Sequence, residues 1–369
     1  MNKQDKCWVV KVGSALLTRD GAGLRTDLIA AWVDQIMQLS GQGYQFVIVS
    51  SGAVAEGLAR LGQRQRPYTV YELQAVAAVG QMGLVQAWES CFQQHKVHTA
   101  QILLTHDDIS NRQRYLNARS TLRTLLGLGV IPVVNENDSV ATDEIRLGDN
   151  DMLAGLVCNL VEAERLVILT DQQGLFDKHP GENEQCQLIE QGQAGDKSLE
   201  QYAGAGGALG RGGMLTKLQA AGVAAQSGTE TVITKGTDKD VLLQLADGKQ
   251  QGTYLAASDT PLLARKQWLA GQHRVQGQVS VDAGAERVLR EQGKSLLAVG
   301  VTAVQGEFQR GEVVSCVNAD GVEIARGLIN YSAAETAKIM GKASGDIQSL
   351  LGYVNEPELM HRDNMLIRG

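Results

Sequence analysis

Two lysines lie near the ends of predicted secondary-structure elements, and each could stabilise a phosphoryl group during its transfer. Lys11 lies at the end of the apolar run WVVKV and is followed by Gly13 and Ser14. Lys217 follows a segment, Gly204 to Gly213, in which six of ten residues are glycine. Glycines let the backbone approach phosphate oxygens closely, and a lysine adds a positive charge. Each feature has an alternative, since a lysine at a strand end can extend into solvent and a glycine-rich segment can be a flexible loop.

A dense group of acids and amides follows the apolar run Val130 to Val134. The next residues include NENDS and, a little further on, GDND, which ends at Asp151. Most acid-rich segments are solvated surface loops. Here the group directly follows a strand-like run, and loops at strand ends are where α/β enzymes place their sites. We therefore treat this segment as a candidate site.

Two more strand-like runs end in residues that could contact an anion. VIVS leads into Ser51 and Gly52, where the N–H groups at the start of a helix could bind an anion or a carboxylate, or where a serine could simply cap the helix. LVIL leads into Thr170 and Asp171, which could border a nucleotide pocket, although Asp171 could equally cap a turn. Positive charge and precise positioning are what phosphoryl transfer requires. The motifs together favour that chemistry.

These motifs need a scaffold of alternating strands and helices. Nearly continuous hydrophobic runs are typical of parallel strands covered on both faces, and the chain predicts six of them: 8–12, 46–50, 100–105, 130–134, 166–170 and 231–234. Amphipathic stretches between them predict helices: 26–39, 71–94, 112–126, 150–163 and 214–227. This alternation predicts a doubly wound α/β/α sandwich, and beyond about residue 260 short strands and small helices predict a second, compact domain.

The composition narrows the class of protein. A chain of 369 residues is long enough for two domains, and its net charge of −7 argues against a nucleic acid or an anionic membrane as the main partner. The five cysteines are scattered and form no C-x-x-C pair, which favours a reducing compartment over a disulfide framework or a zinc site. The N-terminal apolar run is interrupted by Lys11 and is unlike a signal peptide. We expect a cytoplasmic protein without a membrane span.

In their order along the chain, the motifs resemble the amino acid kinase family, and within it the branch that phosphorylates glutamate. The matching segments are KVGSALL, VIVSSGAV, VVNENDSVAT, GDND, LTDQQGL and GRGGMLTKLQAA. The resemblance spans nearly the whole chain, because residues 275–353 resemble a PUA domain. It implies an α/β/α kinase domain with a mainly parallel sheet over 1–262, a small β-rich PUA-like domain over 275–353 and a C-terminal tail, 354–369.

The resemblance also implies an activity, which is ATP-dependent phosphorylation of the γ-carboxylate of L-glutamate to L-glutamyl 5-phosphate, the first step of proline biosynthesis. By the same resemblance, Lys11 and Lys217 stabilise the transferring phosphoryl group and Asp151 holds both lysines. The residues implied for glutamate binding are Ser51, Gly52, Asn135, Asp138, Asp149 and Asn150. Those implied for ATP are Thr170, Asp171, Arg211, Gly212, Gly213, Met214, Leu215, Thr216 and Lys217. Mg²⁺ would bridge the ATP phosphates, and no side chain is implied as a metal ligand.

Several partners are implied as well: proline as a feedback inhibitor, a homo-oligomer (dimer or tetramer), and a glutamyl phosphate reductase that would receive the product. Two rival functions stay open. One is a kinase of the same fold that acts on aspartate or an N-acylated glutamate. The other is a catalytically silent RNA-binding protein, since PUA domains bind RNA in modification enzymes. Residues 275–353 hold seven Lys and Arg against nine Asp and Glu, so the charge favours a structural or regulatory domain over one that binds nucleic acid.

Overall fold

The structure is a computed structural model, and it describes residues 6–19, 23–141, 150–178, 186–203, 213–257 and 275–368. The chain divides into two compact units, one formed by residues 1–110 and 117–259 and the other by residues 111–116 and 260–369. The boundary predicted between residues 262 and 275 lies outside the described residues and stays a prediction.

An eight-stranded, mainly parallel sheet forms the centre of the first unit. Its strands are β1 (Lys6–Val12), β4 (Tyr44–Ser50), β5 (Thr99–Leu104), β6 (Ile131–Glu136), β7 (Arg165–Thr170), β8 (Gln191–Gln193), β9 (Glu230–Lys235) and β10 (Thr253–Ala256). Their order is β5-β6-β4-β1-β7-β9-β10-β8, and β10 runs antiparallel to β9. A separate two-stranded hairpin consists of β2 (Thr18–Arg19) and β3 (Gly23–Leu24). All six predicted strands lie in the large sheet, so the predicted α/β class is confirmed.

Helices connect these strands along the chain. They are α1 (Ser14–Leu17), α2 (Thr26–Ser40), α3 (Ala53–Arg60), α4 (Val70–Gln93), α5 (His106–Ser110), α6 (Arg112–Gly127), α7 (Asn150–Val161), α8 (Met214–Ala225) and α9 (Val241–Ala246). Consecutive residues of β1 and β4 are buried, as expected for strands covered on both faces. The sequence-based limits of the five predicted helices agree with the observed ones to within two residues.

The strand register brings the predicted site motifs to one edge of the sheet. In the parallel pairing of β1 with β4, Val12 is opposite Ser50, and in the pairing of β1 with β7 it is opposite Leu169. In the pairing of β5 with β6, Asn135 is opposite Leu103. The carboxyl ends of β1, β4, β6 and β7 therefore meet at the same edge, where ligands bind in open α/β sheets.

The second unit is built on a five-stranded sheet of order β12-β11-β13-β14-β15. Its strands are β11 (Gly277–Val281), β12 (Val301–Gly306), β13 (Val313–Val317), β14 (Glu323–Leu328) and β15 (Met365–Ile367), and its helices are α10 (Ala283–Gln292), α11 (Ala333–Ile339) and α12 (Ile347–Leu351). The segment predicted as a tail thus contributes a strand, β15. Across the described ranges of both units, no helix has the length and the apolar character that a bilayer span requires.

Candidate active site

Asp151 forms the centre of the site, where it bridges the two lysines. Its carboxylate is fully buried in the first turn of α7. One oxygen, Oδ1, lies 2.5 Å from Nζ of Lys11, and the other, Oδ2, lies 3.1 Å from Nζ of Lys217. The two lysines are 206 positions apart in the chain and are both buried. A single carboxylate therefore sets the spacing of two ammonium groups at the edge of the sheet.

The charges in this cluster do not cancel, because two ammonium groups share one carboxylate. Burial alone raises the pKa of Asp151, but the charges of Lys11 and Lys217 outweigh burial and lower its pKa to about 2. Burial also lowers the pKa of Lys217, and repulsion from Lys11 adds to this, while attraction to Asp151 opposes it. The same cluster thus favours the charged form of the acid and disfavours that of one lysine. The net positive charge is suited to an anionic ligand.

Thr216 connects this cluster to the end of the glycine-rich segment. Its hydroxyl oxygen lies 2.7 Å from Oδ2 of Asp151 and 2.8 Å from the carbonyl oxygen of Gly213, the residue that precedes α8. Lys217 is the next residue of the helix. The start of α8 is therefore held to the same carboxylate that positions the lysines.

The loop after β4 provides a second wall of the site. The backbone N–H of Ser51 donates to the carbonyl of Val12 at 3.2 Å, which joins the ends of β4 and β1. Gly52 has a φ of +110°, a left-handed conformation that favours glycine, and it is the N-cap residue of α3. No side chain caps this helix. The alternative that a serine here serves as an N-cap is therefore wrong, and the hydroxyl of Ser51 is available for another role.

A chain of buried amide groups runs from this loop across three elements. Nδ2 of Asn150 lies 3.0 Å from Oγ of Ser51 and 2.7 Å from Oδ1 of Asn135. Nδ2 of Asn135 in turn donates to Oε1 of Gln81, at 2.7 Å. All four side chains are buried. The first amide of this series, Asn150, directly precedes Asp151 in the sequence. The amides and the lysine pair are therefore held by two adjacent residues of α7.

The nucleotide candidate Thr170 ends β7, which lies on the opposite side of β1 from β4 and β6 in the sheet order. Thr170 is buried at the end of β7, and its hydroxyl donates to Oδ1 of the exposed Asp171 at 3.0 Å. The charge of Asp171 raises the pKa of Lys217, although burial of that lysine has the larger, opposite effect. Met214 is half-buried and Leu215 is exposed on the first turn of α8.

Asp138 is buried just beyond the end of β6 and belongs to the same edge. Asp149, Arg211 and Gly212, three predicted site residues, lie outside the described residues, as do Asp143 and Glu144. Within the described part of the chain, no group of three or more His, Cys, Asp or Glu side chains is arranged to hold a metal ion.

Gln81 is a member of this amide series that sequence reasoning did not identify. It lies in the middle of α4, where it is one of several glutamines and has no neighbouring motif. Its burial is the only local signal, and burial follows from helix packing. Gly80, beside it, lets α4 approach α3 closely, because a Cβ there would lie 1.8 Å from the backbone oxygen of Ala53. A buried glutamine on a closely packed helix face is the signal that could have identified it.

Comparison with known families gives two matches along the chain. The model of the amino acid kinase family matches residues 6–235, and the model of the PUA domain matches residues 277–351. These two matches include the edge of the large sheet and most of the second unit.

Full-length relatives are similar over almost the whole chain. Glutamate 5-kinase of Methylobacillus flagellatus is 60% identical over 363 residues, which are 98% of this chain and 98% of that enzyme. Glutamate 5-kinase of Nitrosospira multiformis is 59% identical over 366 residues, covering 99% and 98%. Among solved structures, UMP kinase from Ureaplasma parvum is similar over 69% of this chain and 99% of its own, with a TM-score of 0.48 and 13% identity.

Proposed function

The chain belongs to the amino acid kinase family, within its glutamate 5-kinases, and we propose on that premise that it transfers the γ-phosphoryl group of ATP to the side-chain carboxylate of L-glutamate. The product is L-glutamyl 5-phosphate, and the reaction opens proline biosynthesis. One observation carries the proposal. Asp151 positions two ammonium groups, 2.5 Å and 3.1 Å from its oxygens, beside a buried cluster of amides.

The reaction needs no general base, because the nucleophile is already an anion at neutral pH. A γ-carboxylate oxygen attacks the γ-phosphorus of ATP and forms the new P–O bond. The bond from that phosphorus to the β,γ-bridging oxygen breaks, and ADP leaves with the electron pair. Lys11 and Lys217 stabilise the negative charge on the phosphoryl group during transfer, and Asp151 and Thr216 keep them in place.

Mg²⁺ would accompany the nucleotide as MgATP. Both oxygens of Asp151 are engaged by lysine ammonium groups, so this carboxylate is not suited to a divalent cation. The ATP phosphates would hold the metal, which neutralises part of their charge when it is bound. For the nucleotide itself we propose Thr170, Asp171 and the segment from Arg211 to Lys217.

For glutamate we propose the opposite side of Asp151. The amides of Asn135 and Asn150, with Ser51 and Gly52, are suited to a carboxylate, and the acids Asp138 and Asp149 are suited to the ammonium group. Burial of Asp138 supports this assignment, because a buried carboxylate beside a ligand is a strong partner for a cation. An N-acylated substrate lacks that cation, which favours free glutamate over N-acetylglutamate.

The decisive experiment is turnover with MgATP and each of three acids, with hydroxylamine present to trap the acyl phosphate as a hydroxamate. We expect hydroxamate from L-glutamate and little from aspartate or N-acetylglutamate. ADP should be released in equal amount. Hydroxamate from either of the other acids at the rate of glutamate would contradict the substrate assignment, and no product from any acid would contradict the activity.

Further proposals concern regulation and assembly. Proline is a feedback inhibitor that shares or adjoins the glutamate site, the protein is a homo-oligomer in the cytoplasm, and a glutamyl phosphate reductase takes up the labile product. The second unit has a structural or regulatory role, in line with its slightly acidic charge. Adding proline to the hydroxamate assay tests the first of these proposals, and light scattering tests the second.

A further inference from the structure

Gln81 carries hydrogen-bond donors that have no partner in the described part of the fold. Only 9% of the residue's surface is exposed. Its Oε1 accepts from Asn135 at 2.7 Å, but its Nε2 is buried and has no hydrogen-bond partner among the residues that the structure describes. A buried donor left unsatisfied costs about 1–3 kcal/mol, so such a group calls for an explanation.

The orientation of this amide follows from the hydrogen bonds that connect it, through Asn135 and Asn150, to the end of β4. The backbone carbonyl of Ser50, which can only accept, faces an atom of Asn150 at 3.5 Å, so that atom is the amide nitrogen. The same nitrogen faces Oδ1 of Asn135, which leaves Nδ2 of Asn135 to face Gln81. The atom of Gln81 that receives this bond must be its oxygen. The two N–H groups of Gln81 are therefore the last donors in this series of hydrogen bonds, at the end opposite Ser50.

The chemistry of these donors identifies the group that they would bind. An amide N–H cannot bind an ammonium group, and it is well suited to a carboxylate. Of the two carboxylates of glutamate, the reacting one belongs with Lys11 and Lys217 around Asp151. The amide chain leads away from Asp151 through Asn150 and Asn135, and Gln81 is its last member. The remaining anionic group of the substrate is the α-carboxylate.

We propose that Gln81 is a specificity-determining residue, whose Nε2 donates to the α-carboxylate of the amino acid substrate. This inference rests on the proposed glutamate kinase activity and adds to it the recognition of the end of the substrate that does not react. Gln81 acts by binding, so its loss should raise KM for the amino acid and leave KM for ATP unchanged.

The variant Gln81→Glu separates the two roles of this side chain. A glutamate can still accept from Asn135, but it offers no N–H and repels a carboxylate. Because hydrogen bonds to charged groups contribute about 1.5–3 kcal/mol, we expect KM for L-glutamate to rise by about 10- to 100-fold. KM for ATP should change by no more than about twofold, the usual error of additivity between groups that do not interact.

Gln35→Glu is a matched control. Gln35 is also a buried glutamine on a helix of the same unit, but both ends of its amide are used within the fold. Its Nε2 donates to the carbonyl of Ala31 at 3.1 Å, and its Oε1 accepts from the N–H of Leu242 at 2.9 Å. The same substitution there should lower stability without a selective change in KM for glutamate.

A comparison of two ligands shows which group of the substrate is recognised. 4-Aminobutyrate keeps the ammonium group and the reacting carboxylate of glutamate but lacks the α-carboxylate. Its kcat/KM, or its inhibition constant against glutamate if it is not phosphorylated, should differ between wild type and Gln81→Glu by no more than about twofold. By contrast, kcat/KM for L-glutamate should be lower in Gln81→Glu than in wild type by about 10- to 100-fold.

Each outcome is decisive. An equal loss for glutamate and 4-aminobutyrate would assign Gln81 a structural role and overturn the inference. A lower KM for glutamate in Gln81→Glu would mean that the amide oxygen faces the ammonium group, which would also overturn it. If wild type forms no hydroxamate, the proposed function fails instead. Should Gln81→Glu not fold, Gln81→Met, which is similar in length and has no N–H donor, takes its place in the same comparison.

Discussion

Replacing Lys217 by methionine should abolish most of the activity and leave the fold intact. Asp151 keeps the ammonium of Lys11 at 2.5 Å and the hydroxyl of Thr216 at 2.7 Å, so its carboxylate retains a counterion in the variant. Burial lowers the pKa of Lys217, which means that the fold gains little from its charge. Methionine fills a similar length with apolar atoms. We therefore expect the midpoint of thermal unfolding to stay the same or to rise.

The loss of rate follows from the charge that is removed. An ammonium about 4 Å from a unit negative charge contributes about 4 kcal/mol at an effective dielectric constant of about 20. Part of this attraction is already present in bound ATP, and only the part gained in the transition state lowers the barrier. Removing one preorganised donor to developing charge typically costs about 10²- to 10³-fold in kcat. We expect a loss in this range.

The assay is hydroxamate formation with saturating MgATP and L-glutamate, with thermal unfolding measured on the same preparation. Lys249→Met, at an exposed lysine outside the site, is the matched control and should retain wild-type kcat. A Lys217→Met enzyme with kcat within about threefold of wild type, well below the cost of removing one such donor, would refute the role of this charge. A folded variant with normal kcat and only a raised KM for ATP would instead make Lys217 a residue of ground-state binding.

Three further predictions follow from the same geometry. Asp151→Asn leaves two buried ammonium groups without a carboxylate and should lower the free energy of unfolding by about 3–5 kcal/mol, as urea denaturation would measure; a loss below about 1 kcal/mol contradicts the bridging role. Since the pKa of Lys217 is lowered from 10.5, kcat should fall with rising pH before 10.5 is reached. Between the lowered pKa of Lys217 and pH 10.5, the unfolded chain binds more protons than the folded one. This lysine therefore makes the free energy of unfolding increase with pH while the activity declines. A kcat that stays constant up to pH 10.5 would contradict this prediction. Gly80→Ala places a Cβ 1.8 Å from the backbone oxygen of Ala53 and should destabilise the packing of α3 on α4 by about 1–3 kcal/mol, whereas an unchanged unfolding midpoint would show that the helices can separate without cost.

Much of the scaffold could be predicted because its signals are local. Parallel strands buried on both faces leave continuous hydrophobic runs, and β1, β4 and β7 are such runs. The carboxyl ends of parallel strands meet at one edge, so the neighbourhood of Lys11, Ser51 and Thr170 followed from the fold class. The proximity of Lys11 and Lys217 could not be predicted from the fold class, because it depends on how α7 and α8 pack after a long intervening segment.

The identity of the bridging acid could not be read from local pattern. Asp149 and Asp151 are two residues apart, and each follows the same strand. In the sequence, only resemblance to a family assigns the lysines to Asp151, and the structure supplies the physical reason. Asp151 is fully buried in the first turn of α7, where its carboxylate can reach both lysines. Gln81 was missed for a related reason, since its partner Asn135 is 54 positions away.

The adjacent pair Asn150 and Asp151 divides the site into two chemically different halves. Successive residues of a helix differ in direction by about 100°, so two neighbours can serve two separate clusters. Asp151 contacts the lysines, where charge must change during the reaction, and the side-chain nitrogen of Asn150 donates to neutral groups of Ser51 and Asn135. A second carboxylate at 150 would attract the same lysines and repel a substrate carboxylate. The exchange Asn150→Asp should therefore raise KM for glutamate while the unfolding midpoint falls, whereas a variant with normal KM would show that the two halves of the site are not separated in this way.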